Sequence, residues 1–170
     1  MVFKNFAGEI VEINSYVGAF VEKNPNTKIY ISTDSQSKGE FTMYITVVVL
    51  YIPTKGGHVV YSRTLKDRKI YGKASGKDFH KLYIESELSL GVANSILEVT
   101  GIKADYIELD YNNDPRYFSN TVLVQTLGWI RSLGYEVKFK PDVCSTYMAD
   151  KLVKGKNYHR KRRKRKEIAA

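Results

Sequence analysis

Cysteine is almost missing from this chain. One thiol, Cys144, among 170 residues provides neither a disulfide framework nor a thiolate metal site. Long apolar runs are missing too. The longest, Val47 to Ile52 with a tyrosine inside it, falls far short of the roughly 20 residues that a membrane helix needs. Lys4, Glu9 and Glu12 interrupt the start of the chain, so the basic opening and apolar stretch of a secretion signal are not there. There is no internal repeat, and low complexity is confined to the last residues. These absences lead us to expect a cytoplasmic protein that does not enter membranes. A chain of 170 residues suits one domain with one real core.

Charge is present in excess, and its placement is uneven. The chain carries a net +9. From Lys154 onward there are nine Lys and Arg against the single acid Glu167, so +8 of that total belongs to the tail and about +1 to everything before it. Arg160, Lys161, Arg162, Arg163, Lys164, Arg165 and Lys166 are consecutive. Such a block has no apolar partner and cannot bury itself. A phosphate-rich partner is the simplest reason to place it there, and a solvated tail is the bland alternative. We therefore expect a domain over residues 1–153 and a basic tail over 154–170.

The apolar spacing predicts a helix over residues 5–22, from Ile10, Ile13, Val17 and Phe20, ended by Asn24-Pro25-Asn26. Three strands follow: Lys28 to Asp34, Phe41 to Ile52 and His58 to Thr64, joined by a polar turn at residues 35–40 and a second turn at residues 53–57. A basic loop, a helix from Asp78 to Val99, a strand from Tyr106 to Asp110, a helix from Ser119 to Leu133, a strand from Tyr135 to Lys140 and a helix from Ser145 to Val153 complete the order. A β-meander followed by two β-α units argues for an α/β fold with one five-stranded mixed sheet flanked by helices, plus the extra N-terminal helix.

The acids fall at telling places in that order. Asp34 closes the first strand and Asp110 the fourth, and ligands of α/β sheets gather at the carboxyl ends of strands. If those two strands are parallel neighbours, two like charges meet there and repel unless a cation intervenes. Oxygen ligands favour Mg²⁺ or Mn²⁺ over zinc. On the helix from Asp78, the residues Phe79, Tyr83, Ser86, Leu90, Ala93 and Leu97 make one stripe. Glu87 stands roughly 80° from its centre and Glu85 roughly 120° away on the other side. Glu87 is thus the first choice to lean over the sheet and Glu85 the second. Near the C-terminus, Asp150 and Asp142 are rivals that spacing alone does not separate. Each acid, taken singly, is also at home as a turn cap or a surface charge.

Four strings carry a family resemblance: Ile31-Ser32-Thr33-Asp34-Ser35-Gln36, Glu85-Ser86-Glu87-Leu88-Ser89-Leu90 with Ala93 and Asn94, Leu109-Asp110-Tyr111-Asn112, and Lys140-Pro141-Asp142. Together they resemble the ribonuclease H superfamily and, more closely, its YkuK-like group. The resemblance covers nearly all of the chain except the tail. It implies an Asp, Glu, Asp, Asp set for two-metal chemistry, carried here by Asp34, Glu87 (or Glu85), Asp110 and Asp150 (or Asp142). Ala149-Asp150-Lys151-Leu152-Val153 resembles the aspartate-plus-aliphatic pattern of retroviral-type ribonuclease H helices. Two departures stand out. There is no histidine-containing loop before the last helix, and Gln36 stands where proofreading exonucleases have the glutamate of Asp-x-Glu.

The resemblance implies a nuclease in which Asp34 bridges two Mg²⁺ or Mn²⁺ ions about 3.5–4 Å apart. Asp110 and Glu87 would complete one ion's surroundings and Asp150 would hold the other, and the products would carry 5′-phosphate and 3′-hydroxyl ends. Lys66, Arg68, Lys69 and Lys73 in the basic loop are candidates to grip a phosphate backbone, with Tyr71 to stack on a base or sugar. Two other classes compete: a domain of the same fold that binds nucleic acid without cleaving it, and a junction-resolving endonuclease, which needs a dimer. RNA, DNA and hybrid substrates, and the oligomeric state, stay open at this point.

Overall fold

The computed structural model describes residues 1–67, 79–112 and 114–154. Arg68, Lys69, Tyr71 and Lys73 of the basic loop and residues 160–166 of the tail lie outside the described residues, as does the side chain of Asp150. The elements are β1 (Phe3–Asn5), β2 (Ile10–Val11), α1 (Ile13–Lys23), β3 (Lys28–Lys38), β4 (Phe41–Ile52), β5 (Gly56–Asp67), α2 (Phe79–Thr100), β6 (Tyr106–Leu109), α3 (Phe118–Ser132), β7 (Val137–Phe139) and α4 (Ser145–Lys154). They build one mixed α/β layer structure around a sheet of order β2-β1-β5-β4-β3-β6-β7. None of the described helices is long and apolar enough to cross a membrane.

The sheet has seven strands among the described residues, not the five expected. The two extra strands come from the segment expected to open a helix at Asn5. Phe3 is buried and pairs with Ser62 of β5, while Gly8, at φ +90°, turns the chain so that Ile10 and Val11 pair back on β1. A positive φ of that kind is easy only for glycine. The helix starts later, at Ile13, because the Glu12 side chain accepts hydrogen bonds from the backbone N–H groups of Asn14 and Ser15 at 3.2 and 2.7 Å. That satisfies donors which every helix start leaves open. Ile10, counted in the expected helical stripe, is 72% exposed on the edge strand.

β4 lies at the centre and is buried continuously from Thr42 to Leu50, which suits a strand covered on both faces. Its side chains alternate. Val48 and Leu50 join Ile29, Ile31, Val60, Ala93, Ile96, Ile107 and Ile130 in the larger core under α1, α2 and α3. Ile45, Val47 and Val49 join Met43, Val59 and Ala149 in a smaller core under α4. β3 also runs four residues past Asp34, ending at Lys38 opposite Phe41. Residues 35–38 were expected to turn, but the β-rich start of β4 gives them a partner. The reversal is left to Gly39, at φ +59°, and Glu40, a loop of the length favoured in hairpins.

α4 is anchored by a buried acid. Glu108 of β6 is 1% exposed. Its Oε2 accepts hydrogen bonds from the Cys144 and Ser145 backbone N–H groups at 2.8 and 2.5 Å and from Ser145 Oγ at 2.6 Å. A carboxylate at a helix start meets the open N–H groups and the positive end of the helix dipole. Glu108→Ala should therefore destabilise the protein by roughly 2–3 kcal/mol, the effect of removing a charged cap and leaving its donors buried. Urea unfolding checks this. Unchanged stability would mean that the apolar contacts of Met148, Ala149 and Leu152 hold α4 without help.

Candidate functional site

β3 and β6 are parallel neighbours with Tyr30 beside Tyr106, Ile31 beside Ile107 and Ser32 beside Glu108. Continuing that register by two residues sets Asp34 level with Asp110, which directly follows the last residue of β6. Strand alternation places Asp34 on the face of Tyr30 and Ser32, and Asp110 on the face of Glu108. Both are on the side that carries α4. Asp34 Oδ1 accepts from the backbone N–H of Ser35 at 2.7 Å. Asp110 Oδ1 meets Lys140 Nζ, just past β7, at 2.7 Å.

The third acid comes from the opposite side of the sheet, and it is Glu85. The buried stripe of α2 consists of Ile84, Glu85, Ser86, Ser89, Leu90, Val92, Ala93 and Ile96. It is rotated from the expected one because Tyr83 leaves the core to stack on Trp129 of α3, with centroids 5.3 Å apart. Glu85 is 3% exposed, whereas Glu87 is exposed. The order of preference between the two glutamates is thus reversed by the geometry: Glu87 looks outward, and Glu85 lies over the sheet. The Ser35 hydroxyl donates to Glu85 Oε1. One turn later Ser89 Oγ donates to Thr33 Oγ1 at 2.9 Å, and Thr33 meets Thr46 at 2.9 Å. Small hydroxyl side chains on α2 and β3 let a helix approach the sheet closely while keeping its polar groups satisfied.

The electrostatics link these acids. Burial pushes the Glu85 carboxyl up to about 8, and the nearby charges of Asp34 and Asp110 push in the same direction, against the Ser35 hydrogen bond and the Lys81 ammonium. Glu85 is therefore protonated at neutral pH. On its far side, Tyr111 is raised chiefly by burial, and its hydroxyl bonds Ser86 Oγ at 2.9 Å. The Cys144 thiol is pushed up to about 11, first by burial and then by Glu108, so it holds no thiolate.

The remaining sequence candidates are more scattered. Asp142 is exposed in the turn after β7, with its backbone N–H donating to Phe139 O at 3.0 Å. Asp150 belongs to α4, which packs on β3, β4 and β6. Lys66 is half-buried on β5, opposite Thr42. Among the described residues no group of three or more His, Cys, Asp or Glu is arranged to hold a metal ion. In kind the donors fit a hard cation, being carboxylate oxygens gathered at one sheet end whose charges oppose one another. In detail, Asp110 already has the Lys140 ammonium.

A family model described as ribonuclease H-like matches residues 12–154. The chain belongs to the ribonuclease H-like family. Within it the likeness to the YkuK-like group is also borne out. The chain is 26% identical over 134 residues to "Uncharacterized protein YkuK" of Bacillus subtilis (strain 168), across 73% of this chain and 78% of that one. No solved structure matches it.

Sequence reasoning passed over two residues that a ribonuclease H-like sheet makes prominent here. Glu108 and Lys140 were both legible by strand alternation. Glu108 lies two residues before Asp110 on the same face, and Lys140 extends the β7 alternation level with Asp110. Glu85 was legible from its spacing to Ser89, Val92 and Ile96, which repeats at helical intervals.

The raised Glu85 carboxyl has a consequence for stability. Folded Glu85 keeps its proton until about pH 8, whereas the unfolded chain releases it near 4.5. The folded state then binds more protons across that interval, so this group's contribution is fully present below about pH 4.5 and is lost as pH rises through 8. Glu85→Gln, which keeps an acceptor for Ser35, should match wild type near pH 5 and exceed it at pH 8 by an amount on the order of 3 kcal/mol. Thermal unfolding without divalent ions at both pH values measures this. A constant gap between the two proteins would contradict the buried, protonated carboxyl.

Proposed function

We propose that this chain is a divalent-metal-dependent nuclease that hydrolyses phosphodiester bonds in nucleic acid. The observation that supports the reading is the parallel register of β3 and β6, which sets Asp34 level with Asp110, near enough to Glu85 for the charges of both aspartates to raise its carboxyl after burial has done so. Asp34 and Asp110 supply charged oxygens from adjacent parallel strands. Glu85 supplies a third once its proton leaves, and Asp150 on α4 supplies the fourth. Mg²⁺ or Mn²⁺ fits such donors and, when bound, supplies Lewis acidity toward water and phosphate.

The chain's own residues prepare the place. Ser35 holds the Glu85 carboxyl by its hydroxyl and the Asp34 carboxylate by its backbone N–H, so one residue orients two acids. Glu108 fixes the start of α4, the helix to which Asp150 belongs. The basic tail gathers phosphate by attraction without reading sequence, and Lys66 with the loop after it extends that attraction along the domain over residues 1–153.

One observation favours a second reading, a ribonuclease H-like domain that binds nucleic acid without cleaving it: Asp110 is already neutralised by Lys140. A single substitution separates the two. Asp34→Asn keeps size and the backbone hydrogen bond but removes a charge. In a nuclease it should lower metal-dependent cleavage by at least about a hundredfold, the scale of removing one group that stabilises transition-state charge, while oligonucleotide binding persists. Screening RNA, DNA and hybrid substrates with Mg²⁺ and Mn²⁺ provides the assay. Absence of cleavage by wild type on all of them, with binding intact, would support the binding domain instead.

The tail has its own test. Deleting residues 155–170 should weaken binding to all nucleic acids alike and leave the rate at saturating substrate nearly unchanged. Every phosphate that the shortened protein no longer neutralises should flatten the log–log salt dependence by roughly 0.7–0.9. Equal slopes for full-length and truncated protein would mean that the tail does not touch phosphate.

A further inference from the structure

The Lys140 ammonium occupies the ground on which a metal ion would be expected. Its Nζ lies 2.7 Å from Asp110 Oδ1, with the lysine side chain 48% exposed and the aspartate 28% exposed. Lys140 is held from behind as well, its backbone N–H donating to Tyr111 O at 3.2 Å. It therefore stands beside the acid pair by construction, from a short strand whose Phe139 is in register with Leu109. The next cation back on the same face, Lys138, is engaged elsewhere: its Nζ lies 4.0 Å from the ring centre of Tyr106 and 5.2 Å from that of Tyr30.

A monovalent ammonium on Asp110 and a divalent ion on the same carboxylate compete, since each repels the other and both want the same oxygen lone pairs. The side chain that loses this competition keeps its charge and stays within reach, because its backbone is tied to Tyr111. A displaced ammonium beside an acid site is suited to the phosphate of a bound nucleic acid, with which it makes a charge-assisted hydrogen bond. We propose that Lys140 is a counter-ion of Asp110 that gives way to the divalent metal and then holds a phosphate oxygen of the nucleic acid. This rests on the nuclease-type metal site proposed above.

The test uses the full chain and two probes, Mn²⁺ alone by calorimetry and a short fluorescent oligonucleotide in the presence of Ca²⁺. Lys140→Met removes the competing charge but keeps most of the length of the side chain. It should bind Mn²⁺ about threefold to tenfold more tightly than wild type, the scale of a partly exposed charge interaction, and bind the oligonucleotide weaker by a similar factor. Lys140→Arg, which keeps the charge, should stay close to wild type in both. General damage to the fold weakens both affinities, so the opposite signs are the signature. Mn²⁺ binding that is unchanged or weaker in Lys140→Met would overturn the proposal, as would tighter Mn²⁺ binding with unaltered oligonucleotide affinity. Asp34→Asn serves as the control. If it abolishes Mn²⁺ binding while Lys140→Met has no effect, the metal site stands and the role of Lys140 falls. If neither wild type nor Lys140→Met binds Mn²⁺, the metal site itself falls.

Discussion

β3 and β6 lie side by side in parallel, and Ser32 stands level with Glu108. The placement of the strand acids at this end of the sheet follows from that register. Two residues further on, the same pairing sets Asp34 level with Asp110. At Glu108 itself it turns a carboxylate toward α4, where three donors meet it. A slip of one residue would send Asp34 and Asp110 to different levels and turn one strand's side chains to the wrong face. The pairing is protected from slipping by burial, since Ile29, Ile31, Ile107 and Leu109 fill the larger core.

Gathering acids is costly, and the protein offsets the cost by three different means. Glu85 keeps a proton, Asp110 keeps the Lys140 ammonium, and Asp34 accepts a backbone hydrogen bond. Glu108 is handled in another way, by the N–H groups that open a helix. These are separate devices with separate strengths. The proton and the ammonium each serve a single acid, whereas the helix cap also fixes where α4 begins.

The fold was legible in the sequence wherever apolar spacing and burial agree. β4 was read with its observed limits because its run from Phe41 to Ile52 is β-branched and aromatic throughout, and α2, α3 and α4 were located within a residue or two. The N-terminus was misread because Ile10, Ile13, Val17 and Phe20 do recur at helical spacing, yet Gly8 and the pairing of Phe3 with Ser62 outweigh that local pattern. At the site, Asp110 was expected at the end of its strand and directly follows β6, whereas Asp34, expected to close its strand, lies within β3, four residues before its end. The burial of Glu85 in place of Glu87 was not legible from the stripe of Phe79, Tyr83, Ser86, Leu90, Ala93 and Leu97, because that spacing counts Tyr83 as buried. Tyr83 instead sets its ring on Trp129, and the helix turns Glu85 inward. The spacing of Glu85 to Ser89, Val92 and Ile96 carries the buried face within the one helix, but a stripe that includes Tyr83 hides it, and only the contact with Trp129 shows why Tyr83 does not belong there.

The short outer strands govern how this protein behaves toward copies of itself. The long central strands β3, β4 and β5 are rich in the β-branched and aromatic residues that suit intermolecular pairing. They are flanked on one side by β1 and the two-residue β2, and on the other by β6 and the three-residue β7, which carries Lys138, with β1 and β6 each paired to three residues of the long strand beside it. Edges so short offer few open N–H and C=O groups to a passing chain, and a lysine on one of them discourages stacking further. On β5 the cover is confined to the middle: β1 pairs with Val60, Tyr61 and Ser62 of a 12-residue strand, so the first residues of the chain shield the stretch of that edge that is most deeply buried.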